Sequence, residues 1–565
     1  MCGIYGAISS AAAQKVLAGL KRLEYRGYDS WGIASLDKKI CLEKHVGKIG
    51  LVKKISLPNN SLAIGHTRWA THGGVTANNA HPHLASDGSF ALAQNGVVEN
   101  FAELKKFLVS KNYKFKSDTD TEVIVGLVEK FGFKKAFKKL AGRNTIIALF
   151  NTGDIIAARQ GSPLFVGRDG RGNIYFSSDL PSLSVDASEY YQLANGEIVS
   201  SKNLPKKNWQ AIKIVAQDLS LGKHAHYMHK EIYEQKQTLL NCFLANQDKF
   251  APSLSAIKKA KNIYVLGAGS ASFAALYISL RLRQLQLNVY AIPSYEADSF
   301  KSLVSKEDLC IVLSQSGETA DSNEVVEWMK AKGVKIMSVI NMPGSSLEQM
   351  SDYVHPLAVG PEIGVASTKA LTAHLAWGWM ISQLLAGQKI SEVKKQLLNF
   401  SKKIGSWLEH KKLHPEILQI SKFLQTQPHI FVLGRGELYP AALEFALKIK
   451  EISYLHAEGF SGGELKHGMI ALIRKNSPVV CLINKETEVD MLSAAHEVKA
   501  RGAKVIGIAS KNNLVFDYFL PIVKDEEWSA IAAIIPAQLL AYDLALKMGY
   551  DPDKPRNLAK SVTVK

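Results

Sequence analysis

Cysteine is scarce. The 565 residues hold five, at 2, 41, 242, 310 and 481, with no Cys-x-x-Cys pair. An odd, scattered set builds neither a disulfide framework nor a zinc knuckle, and it points to a reducing cytoplasm. Long apolar runs are missing too. The longest tracts, near 373–388 and 528–542, are interrupted by Ser382, Gln383, Pro536 and Gln538. They fall short of the roughly 20 residues a membrane span needs and read as buried helices. No basic stretch precedes an apolar run at the start of the chain, so no secretory leader is expected. Acidic residues are outnumbered, 51 against 69 Lys and Arg, for a net charge of +18. The lysines come as scattered pairs such as Lys105–Lys106 and Lys258–Lys259, not as one dense tract with interleaved aromatics. Solvated helix faces are therefore expected, with neither nucleic acid nor membrane as partner, while the field still draws in anionic substrates.

What is present is ample apolar material, 47% of residues. A single core stops growing near roughly 250–300 residues, so several folding units follow. Residues 1–200 carry short β-like runs, LAIGHTRWA (62–70), FALAQNGVV (90–98), TIIALF (145–150), DIIAAR (154–159) and NIYFSS (173–178), with helical stretches at 99–110 and 121–140. This is an antiparallel α+β pattern. From about 260 the order becomes buried strand, turn, helix, as in parallel α/β sheets. IYVLGAGS at 263 recurs as IFVLGRGE at 430, IVLSQSGET at 311 as VCLINKETE at 480, and VKIMSVIN at 334 as AKVIGIAS at 503. The constant spacing argues for duplicated α/β units.

Cys2 follows the initiator Met. Removal of that Met leaves a thiol and a free α-amine, with a pKa of about 7.7–8.0, on one residue, which is a nucleophile with its own base. Asn95-Gly96 closes a strand with an amide and a backbone N–H suited to an oxyanion, although the same dipeptide makes hairpin turns. Arg68 suits a substrate carboxylate and Asp120 a substrate ammonium, which together fit glutamine. His81-Pro-His83 has no further ligands at a metal-site spacing, so no metal is expected. In the second half, Ser314, Gln315, Ser316 and Thr319 in the SQSGET segment form a phosphate cradle at a strand end before a helix. Gly267-Ala-Gly269 lacks the third glycine and the later acid of a dinucleotide site, so no cofactor is expected.

MCGIYG, LEYRGYDSWGIA (23–34), HTRWATHG (66–73), NAHPH (79–83), QNGVVEN (94–100) and SDTDTE (117–122) together resemble the glutaminase domain of class II glutamine amidotransferases. EIGVASTKA (362–370), ALKIKEISYLHAE (446–458), GELKHG (463–468) and PRNLAKSVTV (555–564) resemble the duplicated sugar-isomerase (SIS) half of the glutamine:fructose-6-phosphate aminotransferase family. The resemblance runs nearly end to end. It implies an N-terminal-nucleophile αββα domain over 2–222, a linker at 223–245, α/β SIS domains at 246–395 and 415–550, and a tail at 551–565 over the sugar site. It implies that Lys560 forms an imine with the ketose, His467 opens the sugar ring, Glu451 moves a proton between carbons and Lys448 supports it. Val365 and Ser367 would line the sugar site, Thr71 and His72 the glutamine site, and Trp69 would gate an internal ammonia path. L-glutamine and fructose-6-phosphate are the implied substrates, and a homodimer through the SIS half the implied assembly. On spacing alone, Glu451 is a helix-surface charge.

One departure stands out. Where the family usually has Cys-Gly-Thr-Ser, this chain has Ala268-Gly269-Ser270-Ala271. A hydroxyl is lost at Ala271, worth about 1.5–3 kcal/mol on a charged acceptor unless water or Ser270 replaces it. Another ketose phosphate as substrate is the alternative this leaves, with a sugar-phosphate-binding regulator as the rival outside enzymes.

Overall fold

The short β-like runs of the first 200 residues pair antiparallel into two sheets in a computed structural model, which describes residues 2–50, 52–58, 60–206, 208–212, 220–410 and 413–562. Met1 and the last three residues of the expected tail lie outside that description. The chain divides into two compact units, Met1–Ser220 with Ala559–Lys565, and Leu221–Leu558.

In the first unit an eight-stranded and a five-stranded sheet face each other. Ile4, Ile64, Ala91, Ala93, Ile147 and Phe176 are among the side chains that fill the gap between them. Helix Ala12–Leu23 turns its apolar face, Val16, Leu17 and Leu20, onto the outer side of the first sheet. Helices Phe101–Val109 and Thr121–Phe131 cover the second through Leu104, Leu108, Ile124 and Leu127. Period-two burial on two sheets and period-3.6 burial on the outer helices give the four-layer αββα arrangement. Strand Gly3–Ile8 lies inside the larger sheet, antiparallel to Leu62–Arg68, with Gly3 opposite Thr67. That register brings Cys2 to the end of the strand that carries Arg68.

The second unit holds two five-stranded sheets, all parallel, with the same strand order. Across the first lie Val289–Pro293, Ile263–Gly267, Leu309–Ser314, Lys335–Ile340 and Tyr353–Pro356. Across the second lie His456–Ser461, His429–Gly434, Pro478–Ile483, Lys504–Ala509 and Tyr518–Pro521. Leu309–Ser314 and Lys335–Ile340 recur 169 residues later as Pro478–Ile483 and Lys504–Ala509. One apolar core joins both halves, with Trp377, Phe445 and Ile535 in it. The segment expected as a linker carries helix Tyr227–Asn246, whose Ile232, Leu239 and Phe243 are buried in that same core. Helix Ser529–Lys547 is long and apolar enough to cross a membrane, and 89% of its apolar window is buried in the protein.

In a parallel sheet of this order, ligands sit where the connections diverge, outside the carboxyl ends of the first and third strands in sequence. In the first sheet these are Ile263–Gly267 and Leu309–Ser314. Ser314 ends the second of these strands, and Ser270 begins the helix that follows the first.

Candidate functional site

The thiol of Cys2 lies against the backbone of Trp69. The Trp69 N–H donates to Cys2 Sγ at 3.4 Å, and the thiol faces the Trp69 carbonyl at 3.6 Å. Arg26, buried beneath, donates from Nε to the Cys2 carbonyl at 3.2 Å. Burial pushes the thiol above its ordinary range, while the Trp69 bond and the charges of Arg68 and Arg26 pull it back. A free thiolate is therefore held in check until the α-amine or a substrate alters the balance.

Across the sheet gap, His66 Nε2 donates to the carbonyl of Gln94 at 2.9 Å, which ties the strand of Arg68 to strand Phe90–Gly96. Both amide atoms of Asn95 are buried without a hydrogen-bond partner among the described residues. An orphaned amide of this kind costs about 1–3 kcal/mol, and a bound oxyanion would accept a hydrogen bond from its Nδ2. Gly96 has φ +135°, and a Cβ there would fall 1.7 Å from the Arg143 carbonyl oxygen, so only glycine fits. Asp120 is buried beside the same strand and accepts the Val98 N–H at 2.8 Å. Burial raises its carboxyl, with His72 and Arg68 opposing.

The Arg68 guanidinium donates to the carbonyls of His72 at 2.5 Å, Gly73 at 3.1 Å and Gly74 at 3.2 Å. It thus orders the loop carrying Thr71, which is exposed, and His72, which is half-buried with Nδ1 unpartnered. The rings of His66, His81 and His83 lie tilted in a row, with successive centroids 4.3 and 4.9 Å apart. Burial holds His66 down to about 3 and the other two well below the usual range, so all three are neutral. Among the described residues no group of three His, Cys, Asp or Glu side chains is arranged to hold a metal.

In the second unit Ser314 Oγ accepts the Gly317 N–H at 2.9 Å and Ser316 Oγ the Glu318 N–H at 3.1 Å. Gly317 is at φ +66°, where a Cβ would lie 2.1 Å from Ser345 Oγ. Glu318 is buried and braces the loop by accepting the Ser346 N–H at 2.7 Å. Gln315, half-buried, accepts the Met342 N–H on its carbonyl, and half-buried Thr319 stands at the N-cap position of helix Ala320–Ala331 with no side-chain capping bond. Ser270 opens helix Ser270–Arg283, and Gly267 lets its strand pass against that turn, since a Cβ there would meet Ala271 O at 2.4 Å. Ser272 donates its hydroxyl back to the Gly269 carbonyl at 2.7 Å and does not stand in for the hydroxyl missing at Ala271.

Helix Leu438–Ser453 carries a charged row inside an apolar run. Lys448 is ion-paired with Glu451, and with Glu444 at 3.3 Å. Glu444 and Lys448 are each 1% exposed, against 21% for Glu451. Burial drives the Glu444 carboxyl up to about 7, with Lys448 and the neighbouring Ser270 hydroxyl opposing. Burial works against the Lys448 charge, but the two carboxylates outweigh it and raise that group. Sequence reasoning missed Glu444; its signal is the i, i+4, i+7 spacing with Lys448 and Glu451. Glu362, also missed, accepts the N–H groups of Thr368 at 2.9 Å and Ala370 at 3.0 Å, and the Ser367 hydroxyl at 3.3 Å.

The Val365 N–H donates to the carbonyl of Asp553 at 3.1 Å. The Asp553 carboxylate accepts the N–H groups of Tyr227 at 2.7 Å and Met228 at 2.8 Å. The Arg556 N–H donates to Tyr454 Oη at 2.7 Å, three residues beyond Glu451. The tail up to Leu558 is thus fastened to the same helix and loop as Lys448, Glu451 and Val365. Lys560 is half-buried and belongs to the first unit's part of the tail. His467 is exposed at the end of the short helix Glu464–His467, with no hydrogen bond or ion pair among the described residues. The structure does not bring it to Lys448 or Glu451 by any such contact.

The SIS domain family matches residues 256–383 and 423–548, and the glutamine amidotransferase domain family matches residues 50–236. The chain is 37% identical to the glutamine–fructose-6-phosphate aminotransferase (isomerizing) of Pyrococcus horikoshii over 607 residues, and 40% identical to that of Francisella tularensis over 621 residues, with all of both chains covered each time. Among solved structures, the C-terminal domain of glucosamine-fructose-6-phosphate aminotransferase from Francisella tularensis matches with a TM-score of 0.53 at 33% identity, covering 59% of this chain and 99% of that one. The tagatose-6-phosphate ketose/aldose isomerase of Escherichia coli shares the fold, with a TM-score of 0.51 at 19% identity over 59% of this chain and 96% of that one.

Proposed function

Because this chain belongs to the glutamine–fructose-6-phosphate aminotransferase (isomerizing) family, we propose that its two units divide that reaction between Cys2 and the row around Lys448. The protein is an enzyme that converts fructose-6-phosphate to glucosamine-6-phosphate at the expense of glutamine. The observations that support the residue assignment are the Cys2 thiol at a strand end, held by the Trp69 N–H, and the buried, unpartnered Asn95 amide.

Cys2 sulfur adds to the glutamine side-chain carbonyl while its own α-amine takes the thiol proton. The Asn95 amide and the Gly96 N–H hold the oxyanion. Ammonia leaves, and water cleaves the thioester to glutamate. Asp120 receives the substrate ammonium, and Arg68 shapes the carboxylate end together with Thr71 and His72.

In the second unit, Ser270, Ser314, Gln315, Ser316 and Thr319 hold the phosphate. Val365 and Ser367 line the sugar, His467 opens its ring, Lys560 forms the imine with the ketose carbonyl, and Glu451 carries a proton between carbons 1 and 2 with Lys448 beside it. Ammonia is handed on internally, past Trp69, since in water it is mostly protonated near neutral pH. A homodimer through the second unit and a cytoplasmic location complete this reading. The latter is supported by five cysteines that are all free.

Incubation with amide-labelled glutamine, fructose-6-phosphate and excess unlabelled ammonium tests the scheme. Hexosamine phosphate should form and keep the label. Cys2→Ala should abolish glutamine-dependent product and spare sugar-phosphate isomerisation. Glutaminase turnover in that variant refutes the assignment of Cys2, and unlabelled product refutes internal transfer. Borohydride trapping with fructose-6-phosphate should mark Lys560; an adduct on another lysine would move the imine elsewhere.

A further inference from the structure

Between helix Phe101–Val109 and helix Thr121–Phe131 the chain makes a turn rich in lysine. Lys111, Lys114 and Lys116 on this turn, and Lys130 near the end of the second helix, line one cavity of about 550 Å³ together with Tyr113 and Glu129. None of the four ammonium groups is in an ion pair among the described residues. Lys130 has a weaker neighbour, the Phe107 ring, with Nζ 5.9 Å from its centroid. The one carboxylate present, Glu129, already accepts the Ser86 N–H at 2.6 Å. Four positive charges therefore share a concave surface with a single negative one.

Such a gathering is self-repulsive when empty, and it concentrates anions because low-dielectric walls focus its field. Lysine serves phosphate as a mobile point charge. The wall opposite is firmer. Tyr113 packs on the helix backbone at Gly126, where a Cβ would come within 3.1 Å of its Cε2, and the Phe115 ring meets it edge-on at 4.9 Å. A half-buried aromatic ring beside four amines suits a ligand with a planar group at one end and several negative charges at the other. The volume falls within the roughly 300–1,000 Å³ of small-molecule sites.

We propose that this cavity binds a nucleotide-sized organic polyphosphate, at a site in the first unit apart from the residues around Cys2. A single phosphate leaves the excess charge uncompensated, whereas two or three phosphates match it.

Calorimetric titration of the full chain tests this, with fructose-6-phosphate present at saturation so that the sugar-phosphate cradle is occupied. ADP is the probe, with adenosine and a short single-stranded RNA as comparators. The expected result is one ADP per chain, binding weakened several-fold between about 50 and about 200 mM salt, and no binding of adenosine. The exposed pair Lys114→Glu with Lys130→Glu, verified as folded by circular dichroism, should lose at least about tenfold in affinity, a charge effect of more than about 1.4 kcal/mol. Reversal of Lys394 and Lys395, exposed on helix Ile390–Leu408, should change nothing. No ADP binding, equal binding by the Lys114/Lys130 variant, or RNA held much more tightly than ADP by the same lysines would each overturn the proposal, the last in favour of an extended nucleic-acid surface.

Discussion

A buried side chain without its partner shows most directly what it is for. The Asn95 amide is buried with no bond to lose at rest, so Asn95→Ala should not lower the melting temperature. It should lower glutaminase kcat by about 10²–10³, the worth of one oxyanion donor. Hydrolysis rates measured alongside thermal unfolding check both halves of that statement. Lys448 is the opposite case, because it separates two carboxylates, one of them 1% exposed. Lys448→Met should cost about 3–5 kcal/mol in denaturant unfolding as well as sugar isomerisation, since an uncompensated charge remains buried. Cys2, Asn95 and Asp120 were candidates on the sequence alone because their types announce a chemistry. Glu444 was not. A single acid among Ala, Leu, Phe and Ile reads as a solvated face until the helix is seen with Glu444 on its buried side.

At the scale of the element, the start of helix Ser270–Arg283 is where this chain departs from its family pattern. Ala271→Ser restores a hydroxyl next to the phosphate cradle, and the KM for fructose-6-phosphate should fall about tenfold, in line with about 1.5–3 kcal/mol for a charge-assisted bond. An unchanged KM in steady-state assays would mean that another group already fills the role. Helix Tyr227–Asn246 shows a different dependence. Its N-cap position, His226, makes no side-chain capping bond, and Asp553 accepts its first two N–H groups instead. Asp553→Ala should cost about 1–2 kcal/mol in stability. It should also expose residues 551–558 to limited proteolysis, with cleavage sites mapped by mass spectrometry. The parallel strands of the repeat were legible because buried strands in a parallel sheet are continuously apolar. The stretch EIYEQKQTLLNCF reads as a helix at a domain junction, but only the packing of Ile232, Leu239 and Phe243 puts that helix in the core.

For the whole molecule, buried histidines set the response to acid. His66 and His355 are held down to about 3 by burial, His374 to about 4, and His81 and His83 well below the usual range. Each stays neutral in the folded chain, whereas the unfolded chain takes up a proton below about pH 6.5. The stability this confers is complete above that pH and drains away as the pH falls toward the folded values. Glu444, held up to about 7, acts in the other sense, keeping a proton that the unfolded chain releases above about 4.5. Asp120, Glu437 and Asp553, also raised by burial, act in the same sense as Glu444, so five histidines stand against four carboxyls between about pH 6.5 and 5. Stability should fall across that interval by on the order of 1.4 kcal/mol per pH unit for each uncompensated histidine, and the melting temperature with it. A flat profile in calorimetric scans would contradict it. The clasp at Asp553 also orders events in time. Its carboxylate lies 326 residues after Tyr227, so on a ribosome adding roughly 5–20 residues each second the nascent helix waits on the order of 16–65 seconds for its cap. The sugar-handling half therefore matures only once residue 553 has been made, long after the strands around Cys2 have left the exit tunnel.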